Sequence, residues 1–231
     1  MKSIVIIPAY NEEKSIVKTV QDICEHAPEF DYIIINDCST DHTLDICREN
    51  QLHVLNLPIN LGIGGAVQTG FLYAYTNGYD YAVQFDGDGQ HDARYLQRMR
   101  DYMEEQKADM LIGSRFLEKE GFQSTGMRRF GIRYFSVLIK LLTGVTITDP
   151  TSGMRMINRD IIALYSESYP KDYPEPESVV SIINRGKKVL EYPVEMRKRM
   201  EGTSSISPLK SVYYMIKVTL AILIEMLRKK V

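Results

Sequence analysis

Asp86 and Asp88 stand two positions apart in Phe85-Asp86-Gly87-Asp88-Gly89-Gln90, directly after an apolar run. Carboxylates in this spacing at a strand end can hold a hard divalent cation, which in turn bridges two phosphates. Mg2+ or Mn2+ held there would neutralise a nucleoside diphosphate while the bond to it breaks, which is Lewis-acid assistance to a leaving group. Alone, Asp-Gly-Asp is also an ordinary strand-ending turn. The apolar strand before it, and its place at the ligand-binding edge of a sheet, favour a site. Gly87 and Gly89 let other backbone approach closely. His91 follows at once, and imidazole too can ligate such a cation, a surface or supporting role being the alternative.

Three further segments carry candidate chemistry. Pro8-Ala9-Tyr10-Asn11-Glu12 ends the first apolar run just before a helical pattern, where backbone N–H groups and a tyrosine face could hold a nucleobase. Asn36-Asp37-Cys38-Ser39-Thr40-Asp41 reads as a helix-capping cluster in which Ser39, Thr40 or Asp41 satisfies exposed amides and Asp37 is the surplus acid. Asn60-Leu61-Gly62-Ile63-Gly64-Gly65-Ala66 resembles a phosphate loop, yet it lacks the Gly-Lys-Ser/Thr ending, which argues against a P-loop NTPase.

These segments must be positioned by something, and the sequence names it. Apolar runs at Ile4 to Ile7, Tyr32 to Ile35, His53 to Leu57, Tyr79 to Phe85 and Asp109 to Ile112 alternate with helical patterns at Glu13 to His26, Asp41 to Asn50, Gly62 to Thr76 and Arg94 to Gln106. That alternation predicts an α/β fold with a mostly parallel central sheet covered by helices on both faces. Ligands of such sheets bind beyond the carboxyl ends of the strands, which gathers residues 8–12, 36–37 and 86–88 along one edge. After Gly113 the pattern changes to a helix from about Arg128 to Leu142, a segment Asp149 to Met156, Tyr173 to Glu177, and a last strand around Val189 to Val194. A helix from about Pro208 to Lys230 follows Gly202-Thr203-Ser204-Ser205.

At 231 residues the chain is long enough for one core with a small appendage, and 25% charged with 44% apolar residues is the balance of a folded soluble protein. A formal charge of -2 gives no general attraction to nucleic acid, so an anionic partner must meet local basic clusters. Cys24, Cys38 and Cys47 are an odd set without metal spacing and read as reduced thiols. No signal-peptide pattern opens the chain, and no apolar run reaches the roughly 20 residues that span a bilayer. The expected location is cytoplasmic, with attachment to a membrane surface left open.

In order along the chain, PAYNE, NDCSTD, NLGIGGAVQTG, FDGDGQHD, GSRF, DPTSGMR, YPEPE and RMEGTSSIS look like family 2 glycosyltransferases of the GT-A fold, and within them are most similar to dolichyl- and polyprenyl-phosphate sugar synthases. The resemblance covers about residues 3–206 and implies a glycosyltransferase domain of 1–206 followed by an amphipathic helix, 207–231. By it, Pro8, Tyr10, Glu12 and Asp37 would hold base and ribose of a UDP- or GDP-sugar, with Ala9, Asn11, Gly62 and Gly87 beside them. Asp86 would face the nucleotide, and Asp86, Asp88 and Gln90 would form the metal shell. The acceptor would be a polyprenyl phosphate. Motif position then favours Arg115, Arg155 and Arg199, with Ser204, as phosphate contacts, since guanidinium forks match phosphate oxygens. Arg128, Arg129, Arg133 and Arg197 would be left for lipid headgroups or a solvated face.

Two segments could meet a bilayer. Between Arg129 and Lys140, Arg129, Arg133, Ser136 and Lys140 recur on one helical stripe while Phe130, Phe135, Val137, Leu138, Leu141 and Leu142 cover the rest. In the last helix Lys210, Lys217, Glu225 and Arg228 lie near one stripe opposite Val212, Met215, Ile216, Leu220, Leu223 and Leu227. Both fit an interfacial helix; core packing, a homo-oligomer contact or a small membrane-protein partner fits them as well. An ionised acceptor phosphate needs no strong base. A sugar hydroxyl would, and Glu175 or Glu177 is then the candidate, their other role being helix N-terminal charge. A third reading is a noncatalytic nucleotide-sugar sensor, against which the intact Asp86 to Gln90 motif speaks.

Overall fold

The computed structural model describes residues 1–118, 126–172, 174–197 and 208–227, and the side chains of 126–128 and 208–212 lie outside that description. In chain order the elements are β1 (Ser3–Ala9), α1 (Ile16–His26), β2 (Phe30–Asn36), α2 (Thr43–Glu49), β3 (Val54–Asn56), α3 (Gly62–Thr76) and β4 (Tyr81–Gln84). A short 3-10 turn (Ala93–Tyr95) leads into α4 (Leu96–Gln106) and β5 (Met110–Ser114). Then come α5 (Gly126–Thr143), β6 (Arg155–Asn158), α6 (Arg159–Glu167), α7 (Pro174–Asn184), β7 (Val189–Pro193) and α8 (Pro208–Leu227).

The seven strands form one sheet in the order β3-β2-β1-β4-β6-β5-β7. β1 pairs in parallel with β2 and β4, β2 with β3, and β5 with β7, while β6 runs antiparallel between β4 and β5. The expected α/β class and mostly parallel sheet are therefore present. β1 reads Ser-Ile-Val-Ile-Ile-Pro-Ala and is buried throughout, because helices cover both its faces. Ile4 and Ile6 join the core under α3 and α6, and Val5 and Ile7 the core under α1 and α4.

The antiparallel β6 and the helix α6 were not foreseen. Arg155-Met156-Ile157-Asn158 is a four-residue strand headed by a charge, too short for alternation to show. α6 is started by Asn158, whose Oδ1 accepts the Ile161 N–H at 3.1 Å. Asp41, one of three capping candidates, stands one residue before the His42 cap of α2 and satisfies its first amide: Oδ1 accepts the Thr43 N–H at 2.9 Å. Burial pushes the Cys47 thiol up to about 11, leaving it an inert core side chain.

α8 lies on α7 and α5, with Val218 and Ile222 buried in the core. Tyr134 and Thr219 share a hydroxyl hydrogen bond of 3.1 Å, and Phe135 meets Tyr214 edge-on. Of the stripe expected to be polar, only Lys217 and Glu225 have described side chains. Lys217 pairs with Asp172 at 2.6 Å and Glu225 is only 4% exposed. Tyr213, Ile216, Leu220, Leu223, Ile224 and Leu227 are the exposed side chains instead. On α5, Ser136 also turns inward, donating to the Ile147 carbonyl, and Phe135 is buried. Its exposed positions mix Arg129, Arg133 and Lys140 with Phe130, Val137 and Leu141. Lys210, Val212, Arg128 and Arg228 have side chains outside the described set.

Candidate active site

A cleft of about 430 Å3 opens at the carboxyl ends of β1, β2 and β4. Pro8, Ala9, Tyr10 and Glu12 line it from the end of β1, Asp37 from β2, and Asp86, Gly87 and Asp88 from β4. Gly62 of α3 and Glu175 of α7 complete the expected set, joined by Asn60, Ile63 and Ala66 of the glycine-rich segment, to which the sequence had assigned no individual site role. Asn11, Gln90 and Glu177 are not among the lining residues.

Local bonds explain why each wall stands where it does. Asn11 takes a left-handed conformation, φ 59°, and its Oδ1 accepts the Thr40 N–H at 2.8 Å, clamping the β1 turn to the β2 turn. Its side chain thus shapes the cleft from behind. The Glu12 amide donates to Thr43 Oγ1 at 2.8 Å, and its carboxylate accepts the Ser15 hydroxyl at 2.7 Å. Asp37 is buried; its Oδ1 accepts the Leu61 N–H at 2.7 Å while its carbonyl accepts Asn60 Nδ2 at 3.0 Å. The β2 end and the start of α3 therefore form one wall.

The glycine run of α3 serves packing. A Cβ at Gly64 would sit 2.2 Å from the Pro170 carbonyl oxygen, and the Gly64 N–H donates to the Lys171 carbonyl at 3.2 Å. Backbone meets backbone there, so the first turn of α3 is seated on the segment that leads into α7. That seat brings Gly62 and Glu175 to the same cleft.

Asp88 is buried, and its Oδ1 accepts the Gln90 N–H at 3.0 Å, a tight turn of the chain on itself. Asp86 keeps 37% of its side chain exposed. A Cβ at Gly153 would lie 2.6 Å from Asp86 Oδ2, so glycine there clears the space over that carboxylate. Gln90 is fixed through its backbone, whose carbonyl accepts the Arg197 N–H at 2.8 Å. Arg197 also spans Asp22 and Asp92, at 3.0 and 3.1 Å. This guanidinium, expected among headgroup-facing or solvated charges, instead ties the segment after β7 to the acidic loop. Burial works to raise the Asp92 carboxyl, yet Arg94 and Arg197 together hold it below the usual carboxylate range.

Arg115 and Arg155 differ from expectation in the same way. The Arg115 fork closes on Asp149, Nε to Oδ2 at 2.6 Å and Nη2 to Oδ1 at 2.7 Å, and both residues are buried. Arg155 donates to the Ser152 and Pro150 carbonyls at 2.8 and 2.7 Å, to Ser178 Oγ at 2.8 Å, and to the Glu175 carbonyl. Both guanidiniums thus brace the 149–155 loop and the start of α7 rather than facing a phosphate. Glu191 completes this brace by accepting from the Thr148 and Asp149 amides, each at 2.8 Å; burial pushes its carboxyl up from the usual value. Nothing local in the sequence pairs Arg115 with a carboxylate 34 positions on. Arg199 and Ser204 lie outside the described residues.

Among the described residues no three His, Cys, Asp or Glu side chains are already grouped to hold a metal. Two carboxylates at one wall of the cleft suit a hard cation such as Mg2+, which binds through one or two carboxylates, with substrate phosphates and water completing its shell. The donor set fits a cation shared with a ligand.

A sheet of this order with an acidic pair at the carboxyl edge is the layout of GT-A glycosyltransferases. Glucosyl-3-phosphoglycerate synthase from Mycobacterium tuberculosis, solved with Mn2+, UDP and phosphoglyceric acid, superposes with a TM-score of 0.70 at 17% identity, over 97% of this chain and 78% of that one. At that identity the match speaks for the fold. The chain belongs to glycosyl transferase family 2, whose model matches residues 4–165. It is 29% identical to the undecaprenyl-phosphate mannosyltransferase of Micrococcus luteus, over 90% of this chain and 88% of that one. To the UDP-N-acetylglucosamine–dolichyl-phosphate N-acetylglucosaminyltransferase of Methanococcus voltae it is 31% identical, over 70% of this chain and 71% of that one. Among the described residues no helix is long and apolar enough to cross a membrane.

Proposed function

We propose that this glycosyltransferase moves a sugar from a nucleoside diphosphate to a polyprenyl phosphate at a membrane surface, with inversion at the anomeric carbon. The observation that carries the donor half is the cleft that unites Tyr10, Asp37, Asp86 and Asp88 with the start of α3. Pro8, Tyr10 and Asp37 would bind the base and ribose, and the α3 start at Gly62 would face the phosphates. Asp86 and Asp88, with Gln90 beside them, would hold Mg2+ or Mn2+. That cation when bound supplies charge neutralisation for the departing diphosphate. The acceptor phosphate is already ionised near neutral pH, so the protein has only to orient it in line with the anomeric carbon and exclude water. Arg199 and Ser204 remain the proposed acceptor contacts, since Arg115 and Arg155 are engaged internally.

Support for the acceptor half comes from the two relatives, both named for transfer to a polyisoprenoid phosphate, and from the exposed sides of α5 and α8. Six large apolar side chains exposed on one helix are rare on a freely soluble surface and mark a contact. Arg129, Arg133 and Lys140 on the neighbouring α5 suit anionic headgroups. The protein would sit on the cytoplasmic face of the membrane without spanning it, residues 1–206 forming the transferase domain and 207–231 the attachment helix.

Glu175 in the cleft lining supports a second reading, in which it deprotonates a saccharide hydroxyl. Incubation with labelled UDP- and GDP-sugars, divalent cation, and polyprenyl phosphate, free polyprenol or a saccharide as acceptor separates the two. Label entering lipid with the phosphate alone is expected. Label found only on added saccharides would transfer the assignment to the Glu175 route.

A further inference from the structure

We infer that His91 is a positioning residue that sets the Asp86 carboxylate for the cation and is not itself a ligand, an inference resting on the reading of Asp86 as a cation-holding acid. The imidazole is buried, 3% exposed, and stands edge-on to Phe85 with ring centroids 5.1 Å apart. Its Nδ1 accepts the Asp86 backbone N–H at 3.0 Å. An accepting ring nitrogen carries no proton, so the ring proton is on Nε2. Nε2 lies 3.7 Å from Asp86 Oδ2, which is a charge-to-dipole approach rather than a hydrogen bond. One ring thereby bonds the main chain of Asp86 and turns its positive edge toward the side chain.

The other side of that carboxylate is fixed as well. Gln84, 1% exposed, extends Nε2 to 3.4 Å from Asp86 Oδ1. Its Oε1 has no hydrogen-bond partner among the described residues, yet turning the amide over would set oxygen against a carboxylate oxygen, so the N–H side is the one that faces Asp86. With Gly153 clearing the space above, one oxygen accepts the Gln84 N–H, the other faces the His91 N–H edge without a hydrogen bond, and the rest of the carboxylate opens on the cleft. For His91 to ligate a cation through Nε2, its proton would have to move to Nδ1. That breaks the bond to the Asp86 amide and leaves a buried N–H without an acceptor, which opposes ligation. A side chain that orients a metal-binding carboxylate is typically worth about 10–100-fold in metal affinity.

Two measurements on the full chain test this. Nitrogen-15 NMR of the histidine ring is expected to show His91 Nε2 protonated in metal-free protein and still protonated after Mg2+ and nucleoside diphosphate are added; an Nε2 stripped of its proton by Mg2+ would make His91 a ligand and overturn the inference. Mn2+ binding followed by electron paramagnetic resonance, with UDP or GDP present, is expected to weaken about 10–100-fold in His91→Phe and to recover in His91→Asn, whose amide can both accept and donate. A folded His91→Phe that binds Mn2+ as tightly as the parent also sinks the positioning role. Should His91→Phe not fold, the tautomer in the unaltered protein decides. Absence of Mn2+ binding in the parent would instead remove the cation from Asp86 and Asp88 altogether, a failure distinct from the other two.

Discussion

At the scale of single residues, the acids and the arginines of this protein teach opposite lessons. The place of Asp86 and Asp88 at the cleft was legible because the signal is local: two acids two positions apart, at the end of an apolar strand, need no distant partner to be located. Asp88→Asn removes one charge and keeps the shape, so turnover is expected to fall at least about 100-fold while the melting temperature stays near that of the parent, read by product formation and calorimetry. The arginines depend on carboxylates and carbonyls far along the chain. Arg115 closes on Asp149 in a buried fork, and Arg155 is taken up by the carbonyls of 150, 152 and 175. No spacing rule reveals that. Arg115→Met strands the buried Asp149 charge, and urea unfolding is expected to show a loss of about 3–5 kcal/mol.

At the scale of elements, hydrophobic pattern located helices but misjudged their faces. The boundaries of α3, α5 and α8 lie close to the expected ones because periodic apolar residues persist over several turns. Which stripe turns inward is decided by the neighbour. Val218 and Ile222 enter the core, Thr219 bonds Tyr134 and Glu225 is buried, while Ile216, Leu220 and Ile224 are left on the outside. The glycine run at the start of α3 was read for its likeness to a phosphate loop; in place, Gly64 is the seat of Pro170 and Lys171. The exposed face of α8 gives a test at this scale. Ile216→Glu with Leu220→Glu touches no buried contact, so stability is expected to hold within about 0.5 kcal/mol. Sedimentation with anionic liposomes is expected to drop sharply, and unchanged binding would take α8 out of the membrane contact.

At the scale of the whole molecule, one sheet orders everything. Three strand ends bring Pro8, Ala9, Tyr10, Glu12, Asp37 and residues 86–88 together, and the rule that ligands lie beyond carboxyl ends located that edge from sequence alone. The Asp92 node, where Arg197 joins the segment after β7 to α1 and the acidic loop, was invisible because its members are 22, 92 and 197. It also sets a pH dependence. Arg94 and Arg197 hold the folded Asp92 carboxyl below its unfolded value despite burial. Its contribution is therefore complete above the usual carboxylate value and is lost as pH falls through the depressed one. The raised Glu191 carboxyl works the other way, since the folded chain keeps its proton longer as pH rises through that range. Urea unfolding across the acid range is expected to show the stability gap between parent and Asp92→Asn shrinking toward low pH.

The acidic pair, the nucleotide cleft and the exposed helices meet in a single reaction, and one assay addresses it. Purified protein on liposomes carrying polyprenyl phosphate, given labelled nucleotide sugar and Mg2+ or Mn2+, is expected to place one sugar on the lipid phosphate, seen as a single-sugar mass increase of the lipid. Chelation of the cation or the Asp88→Asn substitution is expected to abolish it. A lipid that stays unmodified with every nucleotide sugar, while sugar appears on saccharide hydroxyls, would contradict this assignment.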